Sequence, residues 1–496
     1  MGYFKEKEMQ SFIIEYTDEI EAGNAAIFAG AGLSVGAGAV SWKELLRDSA
    51  SKIGLDVDKE YDLVSVAQYI YNQSNSRNKI TKLIKNHIKT NGEVTENHKI
   101  LANLPIDTYW TTNYDEYIEE SFKMINKICD TKKSVHDLST EIHNSEATVY
   151  KMHGDINRAH EAVLIKDDYE IYDKKNELFT MALKSDLISK TFLFIGFSFD
   201  DPNLETILSK VRIMLEGNIR THYCFFKSIN ENDPEFKNET NEDLKKEKVK
   251  YAKNKQYLKI KDLERYGIKS ILVENYSDIT EILNKIKNRY KSKNIFISGS
   301  NSDPEDSEYK LRGKSDEFIA NLSYKLHMEE YQITTGLGLY VGNQVVSGVL
   351  EGIEKTQTRN LDSAIKMRAF PQVVNKEVDS KKLWASYRER IIEDCGSAIF
   401  IMGNKMNTDK KVVNAGGVEE EFNIAHRQGK KLIPVGVTGY QSKLLWEKMN
   451  SNLEEYYPHA DEIFKELFSN LMSEEISEEK LIGSIIEIIK MNREIY

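Results

Sequence analysis

The sequence predicts an α/β protein built as two parallel-sheet domains. Three observations carry this reading. Short apolar, β-branched and aromatic runs recur along the chain, and each stops at a glycine or small polar cluster. Stretches with apolar residues at helical spacing lie between them. After a polar, basic segment at 287–293 the whole pattern begins again at Asn294. The expected division is a first domain over 1–286, a linker over 287–293 and a second domain over 294–496.

In chain order, residues 8–23 read as a first helix, with Phe12, Ile13, Tyr16 and Ile20 among acids. The run Ala25–Ala29 is a buried strand that breaks at Gly30-Ala31-Gly32-Leu33-Ser34. Glycine there lets the backbone turn tightly and approach a bulky ligand, and a helix follows from about Ser41. Strand, glycine turn and helix start together suit a pyrophosphate. Residues 56–95 read as helical, followed by a strand over 105–112 that ends in Asn113-Tyr114-Asp115. Strands at 148–152 and 192–195 run into His153-Gly154-Asp155 and Gly196-Phe197-Ser198. In an open parallel sheet these endings converge on one crevice. The charged stretch 228–256 reads as a solvated excursion, helical or mobile, before a last strand at 268–273 and a helix at 279–286.

The second half has strands at 295–297, 331–335, 398–402 and 432–437. The first three end in Ser298-Gly299-Ser300, Gly336-Leu337-Gly338 and Gly403-Asn404-Lys405, and an amphipathic helix spans 474–491. Both halves are Rossmann-like.

Bulk properties narrow the function. A net charge of −11 argues against broad binding to nucleic acid. No apolar run is long enough to span a bilayer, and no secretory leader is evident. The cysteines, Cys129, Cys224 and Cys395, lie far apart, so neither a disulfide framework nor a metal site is expected. A cytoplasmic setting fits.

The ordered set Gly30-Ala31-Gly32-x-Ser34, Thr112-Asn113-Tyr114-Asp115, His153-Gly154 and Gly196-Phe197-Ser198 resembles the sirtuin-like NAD-binding family over roughly 20–285. The resemblance implies NAD+ as substrate, gripped by Gly30, Ala31, Gly32, Ser34, Asp115, Gly196 and Ser198, with Asn113 and His153 catalytic. A lone strand-end histidine ordinarily caps backbone; in this company His153 is the expected general base. Sirtuin deacylases carry a four-cysteine zinc module and a Pro-Asp-Phe-Arg run. This chain lacks the first and has Val40-Ser41-Trp42 in the region of the second. Those departures disfavour a deacylase and leave cleavage of the nicotinamide–ribose bond.

Residues from about 293 onward resemble the SLOG family of nucleotide-sensing domains, through Ser298-Gly299-Ser300, Gly336-Leu337-Gly338, Gly403-Asn404-Lys405 and Gly416-Gly417-Val418-Glu419. The Pro-Gly-Gly-x-Gly-Thr motif of related phosphoribohydrolases is incomplete here, so binding is expected instead of a second hydrolase. A sirtuin-like domain followed by a SLOG domain resembles the effectors of Thoeris antiphage defence. That implies an NAD+ hydrolase activated by a cyclic ADP-ribose isomer from a TIR-domain partner, and a homotetramer or larger assembly. The expected activator contacts are Ser298, Gly299, Gly336, Gly338, Arg388, Lys405, Gly417 and Glu421, with Glu419 and Glu420 as neighbours that an alignment slip would substitute. Arg388 and Lys405 suit a diphosphate; a helix-surface ion pair is the ordinary alternative for Arg388. A catalytically silent NAD-binding sensor remains the reading from another class.

Overall fold

The computed structural model describes residues 2–87, 92–199, 201–237, 239–303, 305, 307–311, 313–357, 361–371 and 379–494. The chain forms two compact units, Met1–Lys287 and Asn288–Tyr496. The polar segment 287–293 is not an extended connection. The helix Ser277–Ser292 runs through most of it, and the next strand starts at Asn294. No described helix is long and apolar enough to cross a membrane.

The first unit holds a seven-stranded parallel sheet. Its strands are β1 (Ala25–Ala29), β2 (Thr108–Thr111), β3 (Cys129–Lys132), β4 (Ala147–Lys151), β5 (Thr191–Ile195), β6 (His222–Lys227) and β7 (Ile268–Val273). Their spatial order is β3-β4-β2-β1-β5-β6-β7, so the chain leaves β1 to one side for β2 and later returns to its other side for β5. In open parallel sheets such a reversal is where a ligand crevice is expected, here at the carboxyl end of β1. β1 and β5 are buried at every position, as central parallel strands covered on both faces must be. Phe194 stacks on both Phe28 and Phe192 within a core that also takes Trp110 and Leu183.

Two strands of this sheet carry no clear sequence signal. β3 is the short edge Cys-Asp-Thr-Lys, and β6 reads His-Tyr-Cys-Phe-Phe-Lys, with polar groups at both ends. The region 56–95, expected as one helical stretch, contains two helices, Leu63–Ser74 and Arg77–His87, broken where Asn75 takes a left-handed φ of 42°. Its residues 88–91 lie outside the described residues. The long helix Glu242–Glu264 begins within the charged excursion 228–256 and runs past its end.

The second unit has a five-stranded parallel sheet and a small antiparallel pair. The strands are β8 (Asn294–Ser300), β9 (Gln332–Thr335), β10 (Ile365–Met367), β11 (Ser397–Met402), β12 (Asn404–Met406), β13 (Val412–Asn414) and β14 (Lys431–Val435). The sheet order is β10-β9-β8-β11-β14, which again puts the reversal beside the first strand of the unit. The helix Glu478–Glu494 buries Leu481, Ile485 and Ile488 in this core. Both sheets are thus α/β and Rossmann-like.

Candidate functional site

Register brings the strand ends level. Ala29 pairs with Thr111 on β2 and Ile195 on β5, and Thr111 pairs with Lys151 on β4. Gly30 and Gly196 therefore follow paired residues, as Asn113 and His153 follow the paired Thr111 and Lys151 by two.

The sequence reads these glycines as room for a bulky ligand, and the structure gives them a packing role. They face one another. A Cβ on Gly30 would stand 2.4 Å from the Gly196 carbonyl oxygen, and one on Gly196 would stand 2.1 Å from the Leu33 nitrogen. Gly196 also takes a φ of 65°, which only glycine adopts freely. The Gly32 N–H donates to the Gly196 carbonyl at 2.8 Å, so the turn after β1 and the turn after β5 form one rigid backbone seam.

Asn113 is buried against that seam. Its side-chain amide donates to the Gly30 carbonyl at 3.1 Å and to the Ser34 hydroxyl at 3.2 Å. Burial pushes the Asp115 carboxyl up, against the opposing pull of Lys151 and Ser34. Ala31 lies in the short helix Ala31–Val35, and Ser198 is exposed on the loop after β5.

His153 is only 1% exposed, walled edge-on by Tyr169 and Tyr172 at ring separations of 5.4 and 6.2 Å. Its Nε2 stands 3.3 Å from Asp201 Oδ2, close enough for an ion pair but not aligned for a hydrogen bond. Burial lowers its pKa, opposed by Asp201 and Asp168, so the ring is held neutral at pH 7. A neutral, carboxylate-facing imidazole can take a proton. Asp201 also caps the helix Pro202–Met214 by accepting from the Leu204 N–H at 3.0 Å. It thereby ties His153 to the loop after β5.

Several of these side chains escaped the sequence reading. Lys151, Asp201 and the tyrosines draw on partners from separate elements, although Lys151 also pairs with Asp155 only four residues on. One signal was present for Lys151: a charged residue at the end of a parallel strand that must be buried.

The second unit repeats the seam. A Cβ on Gly338 would lie 1.9 Å from the Gly299 carbonyl oxygen, and one on Gly299 would lie 2.4 Å from that of Ile401. Above it, the Ser298 hydroxyl donates to Glu421 at 2.5 Å. Arg388 pairs with Glu420 at 2.6 Å and with Glu421 at 3.4 Å, and its guanidinium lies 4.4 Å from the Phe370 ring centre. Gly417, at the start of the helix Gly416–Arg427, admits Arg388 at close range, since a Cβ there would be 2.9 Å from Nη2. Arg388 is thus ion-paired, but buried and not on a helix surface. Burial raises the Glu421 carboxyl, with Ser298 and Arg388 opposing. Glu419 is exposed, as is Lys405 on β12, and Gly336 faces open space.

Each unit has a parallel sheet whose own strand ends are held together by a glycine seam, with buried Asn113 and His153 in the first and a buried Arg–Glu cluster in the second, as in Rossmann-like nucleotide-type domains. Residues 107–250 match the SIR2-like domain, and residues 278–492 match the Sir2- and TIR-associating SLOG family. The chain is 46% identical to the NAD(+) hydrolase ThsA of Bacillus cereus over 97% of its length and 98% of that protein's. It is 46% identical to ThsA of Cytobacillus dafuensis over 91% and 90%, and 42% identical to ThsA of Acinetobacter baumannii over 98% and 99%. The chain belongs to the ThsA family of NAD(+) hydrolases, with the domain order of a Thoeris effector.

Proposed function

We propose that the first unit hydrolyses NAD+ to nicotinamide and ADP-ribose at the crevice between Gly30, Asn113 and His153. The bond between the ribose anomeric carbon and the nicotinamide nitrogen breaks, and its electron pair neutralises the ring nitrogen. Water forms the new bond at that carbon, and its proton passes to His153 directly or through a ribose hydroxyl. The burial of His153 with its Nε2 3.3 Å from Asp201 Oδ2 is the observation that carries this reading. Asn113 holds the nicotinamide ribose or the water in line, and the developing oxocarbenium charge is what the site must favour.

The second unit is the sensor in this reading. A cyclic ADP-ribose isomer supplied by a TIR-domain protein binds over Ser298, Gly299 and Gly338. Arg388 and Lys405 take its diphosphate, and Glu421 accepts hydrogens from ribose or base. The protein acts in the cytoplasm as a homotetramer or larger assembly, and activation depletes cellular NAD+. The near-complete burial of Asn113 and His153 favours a resting state that needs such a signal. The same burial suits a silent NAD-binding sensor, and one assay separates them. Full-length protein is incubated with NAD+ and cyclic ADP-ribose isomers while nicotinamide release is followed. Release confirms the hydrolase; none at any isomer concentration in an assembled preparation leaves the silent sensor.

A further inference from the structure

Lys151 closes β4, and its side chain is entirely buried. A buried ammonium is costly, and an apolar side chain would fill the place with less desolvation, so its partners matter. Nζ lies 2.6 Å from Asp155 Oδ2 and 3.3 Å from Glu119 Oε1, and it donates to the backbone carbonyls of Tyr114 and Asp115. Tyr114 and Asp115 directly follow Asn113; Asp155 lies two residues beyond His153. One ammonium therefore joins the backbone of the Asn113 loop to the side chain of the His153 loop. The connection is reinforced by the Ile156 N–H, which donates to the Tyr114 carbonyl at 2.9 Å. Lys133 adds a second bridge, with Nζ 3.1 Å from both Asp155 and Glu116.

We propose that Lys151 is a positioning residue for NAD+ hydrolysis, setting the separation and orientation of Asn113 and His153 through the Tyr114 and Asp115 carbonyls and the Asp155 carboxylate. The proposal rests on the catalytic roles assigned above to Asn113 and His153. Lys151 contacts neither of those side chains. It acts on where they stand, and a displacement of about 1 Å is enough to cost on the order of 100-fold in rate.

The test uses the full-length protein with NAD+ and cyclic ADP-ribose isomers, under conditions where the unaltered protein turns over. Lys151→Met should lower kcat per folded molecule by about 100-fold while KM for NAD+ changes by less than about threefold. Glu119→Gln disturbs the same buried charge cluster but leaves the connection between the loops, so it should lower the melting temperature and keep kcat. Unchanged kcat per folded molecule in Lys151→Met overturns the proposal, as does an equal loss of kcat in Glu119→Gln. If Lys151→Met does not fold, Asp155→Asn carries the test, with a fall in kcat of about tenfold expected and an unchanged kcat overturning it. Asn113→Ala and His153→Ala run alongside. If both abolish turnover while the Lys151 and Asp155 variants keep it, only the positioning role has failed. If both keep turnover, the catalytic assignment has failed, and this proposal with it.

Discussion

His153 Nε2 stands 3.3 Å from Asp201 Oδ2, so the expected general base faces a carboxylate that also caps a helix. The carboxylate raises the imidazole pKa against the lowering effect of burial. Asp201→Asn removes that opposing charge and keeps an oxygen to cap Leu204. The base works only when neutral, so the acidic limb of the kcat/KM profile should move to lower pH. A limb that stays in place or moves upward would show that His153 is not the titrating base.

Asn113→Ala should abolish NAD+ turnover and leave the melting temperature within a few degrees. The lost amide makes two hydrogen bonds, to Gly30 and Ser34, each with a net stability contribution of only about 1 kcal/mol. Retained turnover would remove Asn113 from the chemistry.

The glycine seam predicts unequal costs for alanine. Gly23 has a positive φ of 72° but open space around a Cβ, so Gly23→Ala should cost about 1 kcal/mol. Gly196→Ala meets both a positive φ and the Leu33 backbone, and should cost at least about 3 kcal/mol. Urea unfolding of the two variants measures the difference, and equal costs would mean the seam is not rigid.

In the proposed sensor, Arg388→Ala should raise the activator concentration for half-maximal turnover by about tenfold or more without changing maximal kcat, the effect expected of a coupling between sites. Glu420 holds the same guanidinium at 2.6 Å, so Glu420→Gln should free it for phosphate and lower that concentration. A rise in Glu420→Gln instead would mean that the pair organises the site.

Acid should weaken the fold through buried histidines. Burial holds His98 at about 4 and His222 at about 3, against an ordinary 6.5. Between pH 6.5 and those values the unfolded chain carries a proton the folded chain refuses, so stability is lost as pH falls through that window. For His98 this amounts to at most about 3 kcal/mol. The urea midpoint should therefore drop from pH 7 to pH 5 by less in His98→Asn than in the unaltered protein.

Position in the sheet explains part of which strands were legible, although interior β6 was missed because polar groups stand at both its ends. β1, β5, β8 and β11 are central and nearly all buried, so each contains a continuous apolar run, the shortest being Ile295-Phe296-Ile297 in β8. The edges β3 and β10, Cys-Asp-Thr-Lys and Ile-Lys-Met, pack on one neighbour and need no such run. The strand-end clusters at Asn113 and His153 were visible because each follows a β-branched and aromatic run that reads as a strand. Arg388 and the choice among Glu419, Glu420 and Glu421 were not decided by their own helices, since the partners come from separate elements.

The sequence by itself determined two α/β units, the central strands and the polar groups at their carboxyl ends, because apolar runs and glycine turns are local signals. Only the tertiary structure decided that Gly30 and Gly196 exist for each other, that Asp201 faces His153, and that Lys151 joins two loops. Those relations depend on strand order and register. Lys151 and Tyr114 are 37 residues apart in the chain and meet because β4 lies beside β2. A buried ammonium takes its meaning from the carbonyls and carboxylates that surround it, and no stretch of sequence contains them all.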